Sequence, residues 1–231
     1  MKTIVSTVLL CLCSLLTSCI DLATNDGKNK TASLKNTRYP KGIVYTMRGG
    51  LGGVFSKGMN HLEDTLYNDY QIHTSSTVWY KASALSRYII KHYNTPELQG
   101  PIILVGHSLG ANEQIKVARD LYRANIPVPL LITIDAVSPL PVPPNVTEAV
   151  NIYKPSFVPM FSGLKLHAVD SQRTTIMNLN VDSMKNANGG RRGYYVNHFT
   201  IDKDKVVQLI MVEKILETMK KYNQNNHEKK S

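Results

Sequence analysis

The sequence contains very little cysteine, and what it has is confined to the first 19 residues. Cys11, Cys13 and Cys19 are its only cysteines, so the rest of the 231-residue chain carries no thiol. That part of the chain therefore has no internal disulfide, no cysteine nucleophile and no thiolate ligand for zinc. Cysteine catalysis and zinc-ribbon folds are excluded for it.

The start of the chain also lacks an apolar run of comfortable membrane-spanning length. Lys2 precedes a mainly apolar stretch over residues 4–16, which has the length of an export signal instead. Residues 16–19 read Leu-Thr-Ser-Cys and resemble a bacterial lipobox, whose cysteine is lipidated and becomes the first mature residue. We expect residues 1–18 to be a lipoprotein signal peptide and Cys19 to carry the anchor. The alternative is an ordinary cleaved signal that leaves the protein free in the periplasm or outside.

Acidic residues are few: 17 Asp and Glu stand against 27 Lys and Arg, giving a formal net charge of +10. The basic residues are scattered along the chain, which does not favour a nucleic-acid partner. We expect a membrane-anchored envelope protein whose charge meets anionic headgroups or acidic polymers, or simply a solvated basic surface. Ile20 after Cys19 is compatible with sorting to the outer membrane. The sequence does not determine the oligomeric state.

One α/β domain is predicted over residues 39–222, between a polar linker at residues 19–38 and a polar tail at residues 223–231. Apolar, β-branched runs alternate with segments of helical spacing. This pattern predicts a mainly parallel sheet with helices on both faces. Residues 139–197 give the weakest pattern and are interpreted as a loop excursion over a site. Strands are predicted at residues 42–47, 70–75, 101–105, 128–134 and 149–153, and helices at 59–66, 78–93, 111–124 and 206–221.

Ser108 lies in Gly-His-Ser-Leu-Gly at residues 106–110, between the buried strand and the next helix. A serine on so tight a strand-to-helix turn is exposed at the carboxyl end of the sheet, and the flanking glycines allow strand and helix to approach. The first N–H of that helix, on Leu109, is placed to bind an oxyanion. We therefore predict Ser108 as a nucleophile. The alternative is a turn serine that merely caps the helix.

A serine nucleophile needs a histidine base, and an acid to orient that base. Of the seven histidines, His167 and His198 lie downstream in plausible loops, and we favour His198, just before the last helix. Asp135 ends the apolar strand at 128–134 and is the favoured acid. Asp170 and Asp182 are the alternatives, whereas Asp202 and Asp204 are interpreted as first-turn charges on the last helix.

The glycine-rich segment at residues 48–53 follows the first predicted strand and is suited to a second oxyanion donor. Gly50 and Leu51 are the preferred donors. A phosphate-binding loop is disfavoured because no Gly-Lys-Ser/Thr pair accompanies the glycines. No residue pattern calls for a metal or a cofactor.

At these residues the sequence resembles the α/β-hydrolase superfamily, in particular its esterase, lipase and thioesterase-like members. Residues 131–139, Leu-Ile-Thr-Ile-Asp-Ala-Val-Ser-Pro, are similar to the strand-plus-aspartate segment of pancreatic-type lipases, which favours Asp135 as the acid. Arg48-Gly49 stands where many lipases have His-Gly, and no long amphipathic lid is evident. The resemblance therefore implies the chemistry more firmly than a triglyceride substrate.

Together these observations predict a lipid-anchored serine hydrolase that cleaves a small-molecule or lipid ester, or a thioester, through an acyl-enzyme. Ser108, His198 and Asp135 are its expected triad, with Leu109 and Gly50 or Leu51 as oxyanion donors. Two alternatives stay open at this point: an acyltransferase that acts on an envelope lipid or glycan, and a non-catalytic hydrolase fold that binds an envelope ligand.

Overall fold

A computed structural model describes residues 42–50, 53–95, 98, 100–184 and 196–228, with side chains up to residue 224. The predicted signal peptide, Cys19, the linker and Leu51 lie outside the described residues. In the part of the chain that the structure describes, no helix has the length and apolar character needed to cross a membrane.

The described residues form a six-stranded sheet in which all five pairings between neighbouring strands are parallel. The strand order is β2-β1-β3-β4-β5-β6, so the winding direction reverses between β1 and β3. Ligands of such sheets bind in the crevice at the carboxyl ends of the two strands beside this reversal. The strands are β1 (Ile43–Arg48), β2 (His73–Val78), β3 (Ile102–His107), β4 (Val128–Ile134), β5 (Val146–Tyr153) and β6 (Thr175–Asn180).

Helices cover both faces of the sheet, as predicted. They are α1 (Lys57–Tyr70), α2 (Ala82–His92), α3 (Leu109–Arg123) and α4 (Lys205–Glu228). On one face α1 and α4 pack against the side chains of Val44, Ile103 and Ile132. On the other face α2 and α3 pack against the alternate positions Tyr45 and Leu104. Burial on both faces explains why the central strands are continuous apolar runs.

One strand prediction was displaced along the chain, and one strand was not predicted. The strand predicted at residues 70–75 is β2, which begins only at His73, because α1 continues to Tyr70. β6 was not predicted at all. It is an edge strand whose residues are exposed or half-buried, so it lacks the apolar run that marks β3 and β4.

Candidate active site

Ser108 occupies the sharp turn between β3 and α3. Its backbone has φ 57° and ψ −125°, a conformation that side-chain-bearing residues rarely adopt. A Cβ on Gly106 would lie 2.5 Å from the carbonyl oxygen of Gly110, and one on Gly110 would clash with the carbonyl oxygen of Met47. Glycine is therefore required on both sides of the turn, because β3, α3 and β1 approach closely there.

The side chain of Ser108 does not cap α3. Its Oγ lies 2.9 Å from Nε2 of His198, a residue 90 positions further along the chain. Ser108 itself is half-buried at the carboxyl end of the sheet. The structure thus does not support the helix-capping role for the Ser108 side chain and places its hydroxyl beside a histidine.

His198 lies on the short loop before α4 and is only 7% exposed. Its Nδ1 is 2.7 Å from Oδ2 of Asp135. Since a carboxylate oxygen only accepts, Nδ1 carries the proton, and Nε2 is left to accept the hydrogen bond from Ser108. The rings of Phe161 and Phe199 lie 5.4 and 5.5 Å from the imidazole and restrict its rotation.

Asp135 is fully buried directly after β4, with φ 52°. Its second carboxylate oxygen, Oδ1, accepts the backbone N–H of Lys154 at 2.7 Å. A Cβ on Gly163 would clash with this oxygen, so the chain passes the carboxylate there with no room for a side chain. Both oxygens of Asp135 are therefore fixed, one by the backbone and one by His198.

A ladder of polar side chains fixes the segment that passes Asp135. Thr133 Oγ1 donates to Asn151 Oδ1 at 2.9 Å, and Asn151 Nδ2 donates to Asn178 Oδ1 at 2.7 Å. Asn151 and Asn178 also donate to the carbonyl oxygens of Leu164 and Leu166. Sequence reasoning missed this ladder. Its only sequence signal is the presence of polar residues inside three strands that follow one another along the chain.

The predicted oxyanion residues Gly50 and Leu109 lie beside each other. A Cβ on Gly50 would be 3.1 Å from Cδ1 of Leu109, and one on Gly49 would be 2.8 Å from Cβ of Ser108. The loop after β1 therefore packs directly on the serine turn. Leu109 is the first residue of α3, where a backbone N–H has no partner within the helix.

His107 and Ser56 form a buried bridge beneath the site that sequence reasoning also missed. His107 Nδ1 lies 2.8 Å from Ser56 Oγ, and its Nε2 lies 2.9 Å from the carbonyl oxygen of His198. Ser56 Oγ in turn accepts the N–H of Gly49 at 3.0 Å. Burial, reinforced by the neighbouring imidazole of His198, lowers the pKa of His107 to about 3. The only sequence signal was the position of His107 inside the serine motif.

The side chain of the alternative base is exposed, and the alternative acids have other partners. His167 is exposed, and its carbonyl oxygen accepts the N–H of Val142. Asp170 accepts the N–H of Gln172 in a turn. Asp182 pairs with the side chain of Lys154 at 2.7 Å. Of the residues predicted for each role, the structure thus joins His198 and Asp135 to Ser108.

Neither of the two aspartates assigned to the first turn of the last helix lies in that turn, but Asp204 directly precedes α4. It accepts the N–H groups of Val206 and Val207 at the start of α4. Asp202 does not lie on α4. It is fully buried and its Oδ2 accepts the N–H of Gly58 in the first turn of α1, at 2.7 Å. Burial raises the pKa of Asp202 to about 6.

Within the described ranges, no group of three or more His, Cys, Asp or Glu side chains is arranged to hold a metal ion. The described site consists of a serine, an imidazole, a carboxylate and backbone N–H groups. These groups suffice for transfer of an acyl group by a serine nucleophile.

No protein-family model matches the chain, and no curated protein matches it. Several solved structures are similar to it. An esterase from Pyrobaculum calidifontis has a TM-score of 0.44 and 13% identity, covering 78% of this chain and 76% of that one. RedJ, a thioesterase from the prodiginine biosynthetic pathway of Streptomyces coelicolor, has a TM-score of 0.43 and 11% identity, covering 80% and 86%. A cutinase-like protein from Cryptococcus has a TM-score of 0.43 and 13% identity, covering 78% and 95%.

The fold can be assigned from this chain's own topology. The strained serine follows a central strand of a parallel sheet and opens directly into a helix. Serine, aspartate and histidine follow in that order along the chain, and the aspartate comes after the next strand of the sheet. This combination of topology, turn and residue order is that of the α/β-hydrolase fold, which is the fold of this protein.

Proposed function

We propose that this protein is a serine hydrolase that cleaves a carboxylic ester or thioester through an acyl-enzyme. The proposal rests mainly on one observation, the continuous chain of hydrogen bonds from Ser108 Oγ through His198 to Asp135. A serine hydroxyl becomes an effective nucleophile only when a positioned base takes its proton. Here both links of that chain are within hydrogen-bond distance.

In the first half-reaction, Ser108 Oγ attacks the carbonyl carbon of the substrate while its proton passes to His198 Nε2. Asp135 stabilises the imidazolium through its bond to Nδ1. The new Oγ–carbon bond produces a tetrahedral intermediate with a negative oxygen. When this intermediate collapses, the carbon–oxygen or carbon–sulfur bond breaks, and His198 supplies the proton for the leaving alcohol or thiol.

In the second half-reaction, water attacks the acyl-enzyme and gives a proton to His198. Ser108 Oγ then leaves and recovers that proton from Nε2, while the carboxylic acid is released. Two backbone N–H groups, those of Leu109 and Gly50, are proposed to bind the oxyanion in both half-reactions. This assignment is supported by the packing of Gly50 against Leu109, because that contact brings the loop after β1 to the start of α3.

The surroundings of the serine favour an apolar acyl group. The ring centroids of Phe55 and Phe161 lie 5.0 and 4.9 Å from that of Phe199, which itself packs on His198. Leu109 is 36% exposed beside the serine. An aliphatic chain that covers these side chains removes apolar surface from water, at about 25 cal/mol per Å².

The proposal can be tested with the purified full chain and a fluorophosphonate probe, together with p-nitrophenyl esters and acyl thioesters of graded chain length. We expect labelling and turnover by the wild type, and neither by Ser108→Ala. A folded wild-type protein that neither labels nor turns over any ester or thioester would contradict the proposal. Turnover that rises steeply when an alcohol or glycan acceptor is added would identify an acyltransferase instead.

We also propose that Cys19 anchors the protein to a membrane of the bacterial envelope. The support is the lipobox-like sequence at residues 16–19 and the polar linker that follows. Stable anchoring requires more than one acyl chain. Cells fed a labelled fatty acid should incorporate it into the wild type but not into Cys19→Ser. Equal labelling of both, or none of the wild type, argues against lipidation.

A further inference from the structure

We propose that His107 and Ser56 are positioning residues. They fix the loop after β1 and the loop before α4 relative to each other, beside the turn that carries Ser108. The inference rests on the proposed function and extends it to two residues that do not touch the substrate. Gly49 belongs to the loop after β1, and His198 belongs to the loop before α4. His107 and Ser56 connect these two loops through three consecutive hydrogen bonds of 3.0, 2.8 and 2.9 Å.

The chemistry of the groups fixes the direction of each bond. The carbonyl oxygen of His198 can only accept, so Nε2 of His107 carries the ring proton. The imidazole is neutral because burial lowers its pKa far below the physiological range, so Nδ1 is an acceptor. Ser56 must therefore donate its hydroxyl proton to Nδ1 and accept the N–H of Gly49 with a lone pair.

The bridge is fully enclosed and uses every polar atom of the two side chains. His107 is 1% exposed and Ser56 is 2% exposed. A buried polar group that loses its partner is destabilised by its lost hydration, so such a bridge has one preferred arrangement rather than several. Asp202 faces the same imidazole, with Oδ2 4.0 Å from Nδ1, too far for a hydrogen bond. The neighbouring His198 imidazole and the Lys203 ammonium further oppose a positive charge on His107.

The bridge matters because the two loops meet over Ser108 with little free space. A Cβ on Gly49 would lie 2.8 Å from both the carbonyl oxygen of His107 and Cβ of Ser108. Ser56 fixes the N–H of Gly49, and Gly49 directly precedes Gly50, the proposed oxyanion donor. The other end of the bridge fixes the backbone of the residue that serves as base. Loss of the bridge should disturb the placement of both groups relative to the serine.

The first test compares Ser56→Ala with Ser86→Ala. Ser86 is a matched control because it is also a buried serine with a hydrogen bond, from Oγ to the carbonyl oxygen of Ala82, but it lies on α2. Complete removal of one oxyanion donor lowers kcat a hundredfold or more, and displacement of a donor should cause part of that loss. We expect kcat of Ser56→Ala to fall by about tenfold or more, with KM of a short ester within about twofold. Ser86→Ala should keep the wild-type kcat.

The second test uses the chemistry of the ring. His107→Gln retains an N–H donor that can reach the carbonyl oxygen of His198, whereas His107→Leu retains none. We expect the glutamine variant to keep at least about fivefold more kcat than the leucine variant. Equal losses in these two variants, or a wild-type kcat in Ser56→Ala, would overturn the proposal.

The bridge can also be tested without any enzymatic activity. Nuclear magnetic resonance of ring nitrogens should find His107 neutral and protonated on Nε2 from pH 5 to pH 9. Amide exchange at Gly49 should accelerate in Ser56→Ala and not in Ser86→Ala. A charged ring, the other tautomer, or unchanged exchange at Gly49 overturns the proposal. If the wild type hydrolyses nothing while these spectra agree with expectation, the proposed function fails and the bridge between the loops stands.

Discussion

Ser108 and Asp135 come directly after neighbouring parallel strands, and both have a positive φ, 57° and 52°. The N–H of Ser108 donates to the carbonyl oxygen of Ile134 at 2.9 Å, and the N–H of Asp135 donates to that of Ile152 at 2.8 Å. The hydrogen-bond ladder of the sheet thus continues to the point where each strand turns away. Each such conformation costs a residue with a side chain about 1–3 kcal/mol. Two of the three proposed catalytic residues are therefore held under strain by the sheet.

Ser108→Gly should be more stable than Ser108→Ala. Both variants lose the hydroxyl, but only glycine tolerates φ 57° without strain. We expect the free energy of unfolding to be about 1 kcal/mol higher for the glycine variant, after its larger unfolded-state entropy is included. Urea unfolding measures the difference.

The matched pair for that comparison is Gln71→Gly and Gln71→Ala. Gln71 ends α1 with φ 55° and has no part in the site. The free energy of unfolding should be higher for Gln71→Gly than for Gln71→Ala by a similar amount. If glycine is more stable than alanine at position 71 but not at position 108, the turn at Ser108 is not strained.

Asp135→Asn should abolish most of the activity and leave the fold intact. The single oxygen of the amide is needed as acceptor for the Lys154 N–H, so its NH2 group faces His198 Nδ1 and favours the wrong tautomer for a base. We expect kcat for ester hydrolysis to fall by about 10³ to 10⁴-fold. Asp170→Asn and Asp182→Asn test the other acids considered from sequence and should remain within about twofold of wild type. A large loss in either of those, with activity retained in Asp135→Asn, would reassign the acid.

Gly163→Ala should impair catalysis from outside the triad. The added methyl group would clash with Oδ1 of Asp135, so the carboxylate or the passing chain must move. We expect a loss of about 1–3 kcal/mol in unfolding free energy, typical of overpacking, and at least about a tenfold loss in kcat.

Leu164→Ala is the control for that change, because it alters the next residue of the same segment at a side chain that is 44% exposed. Its kcat should stay within about threefold of wild type. Wild-type kcat in Gly163→Ala would mean that the position of Asp135 tolerates this displacement.

The buried carboxyl of Asp202 should make stability fall as pH rises from about 4 to about 6. Burial raises the pKa of Asp202 from 3.8 to about 6 in the folded protein, so the unfolded chain releases this proton first and is favoured in that window. Asp202→Asn has no carboxyl group at this position, so its stability lacks this pH dependence. Its unfolding free energy relative to wild type should therefore rise by about 2 kcal/mol between pH 4 and pH 8.

Asp204→Asn is the control for the pH experiment. Asparagine caps a helix as well as aspartate does, so the variant should stay within about 0.5 kcal/mol of wild type at both pH values. If the relative stability of Asp202→Asn is the same at pH 4 and pH 8, the carboxyl of Asp202 does not carry the raised pKa.

The strands and helices that surround the serine turn were predictable because their signals are local. β3 and β4 are continuous apolar runs, as burial on both faces requires, and the contact that requires glycine at position 106 lies within the turn itself. β6 gave no such signal, because an edge strand does not need an apolar run. The strand that carries Asn178 was therefore not predicted from the sequence of residues 139–197.

The sequence alone predicted Ser108 as the nucleophile and limited the predicted base to His167 or His198. It could not choose between them on geometry, because contact with Ser108 depends on how a loop 90 residues away folds back over the sheet. Only the tertiary structure joined His198 to Asp135, revealed the bridge from Ser56 through His107, and placed Asp202 beneath α1 rather than on α4. Local patterns fix which residues end the central strands β3 and β4, whereas hydrogen bonds between distant loops exist only after the whole sheet has assembled.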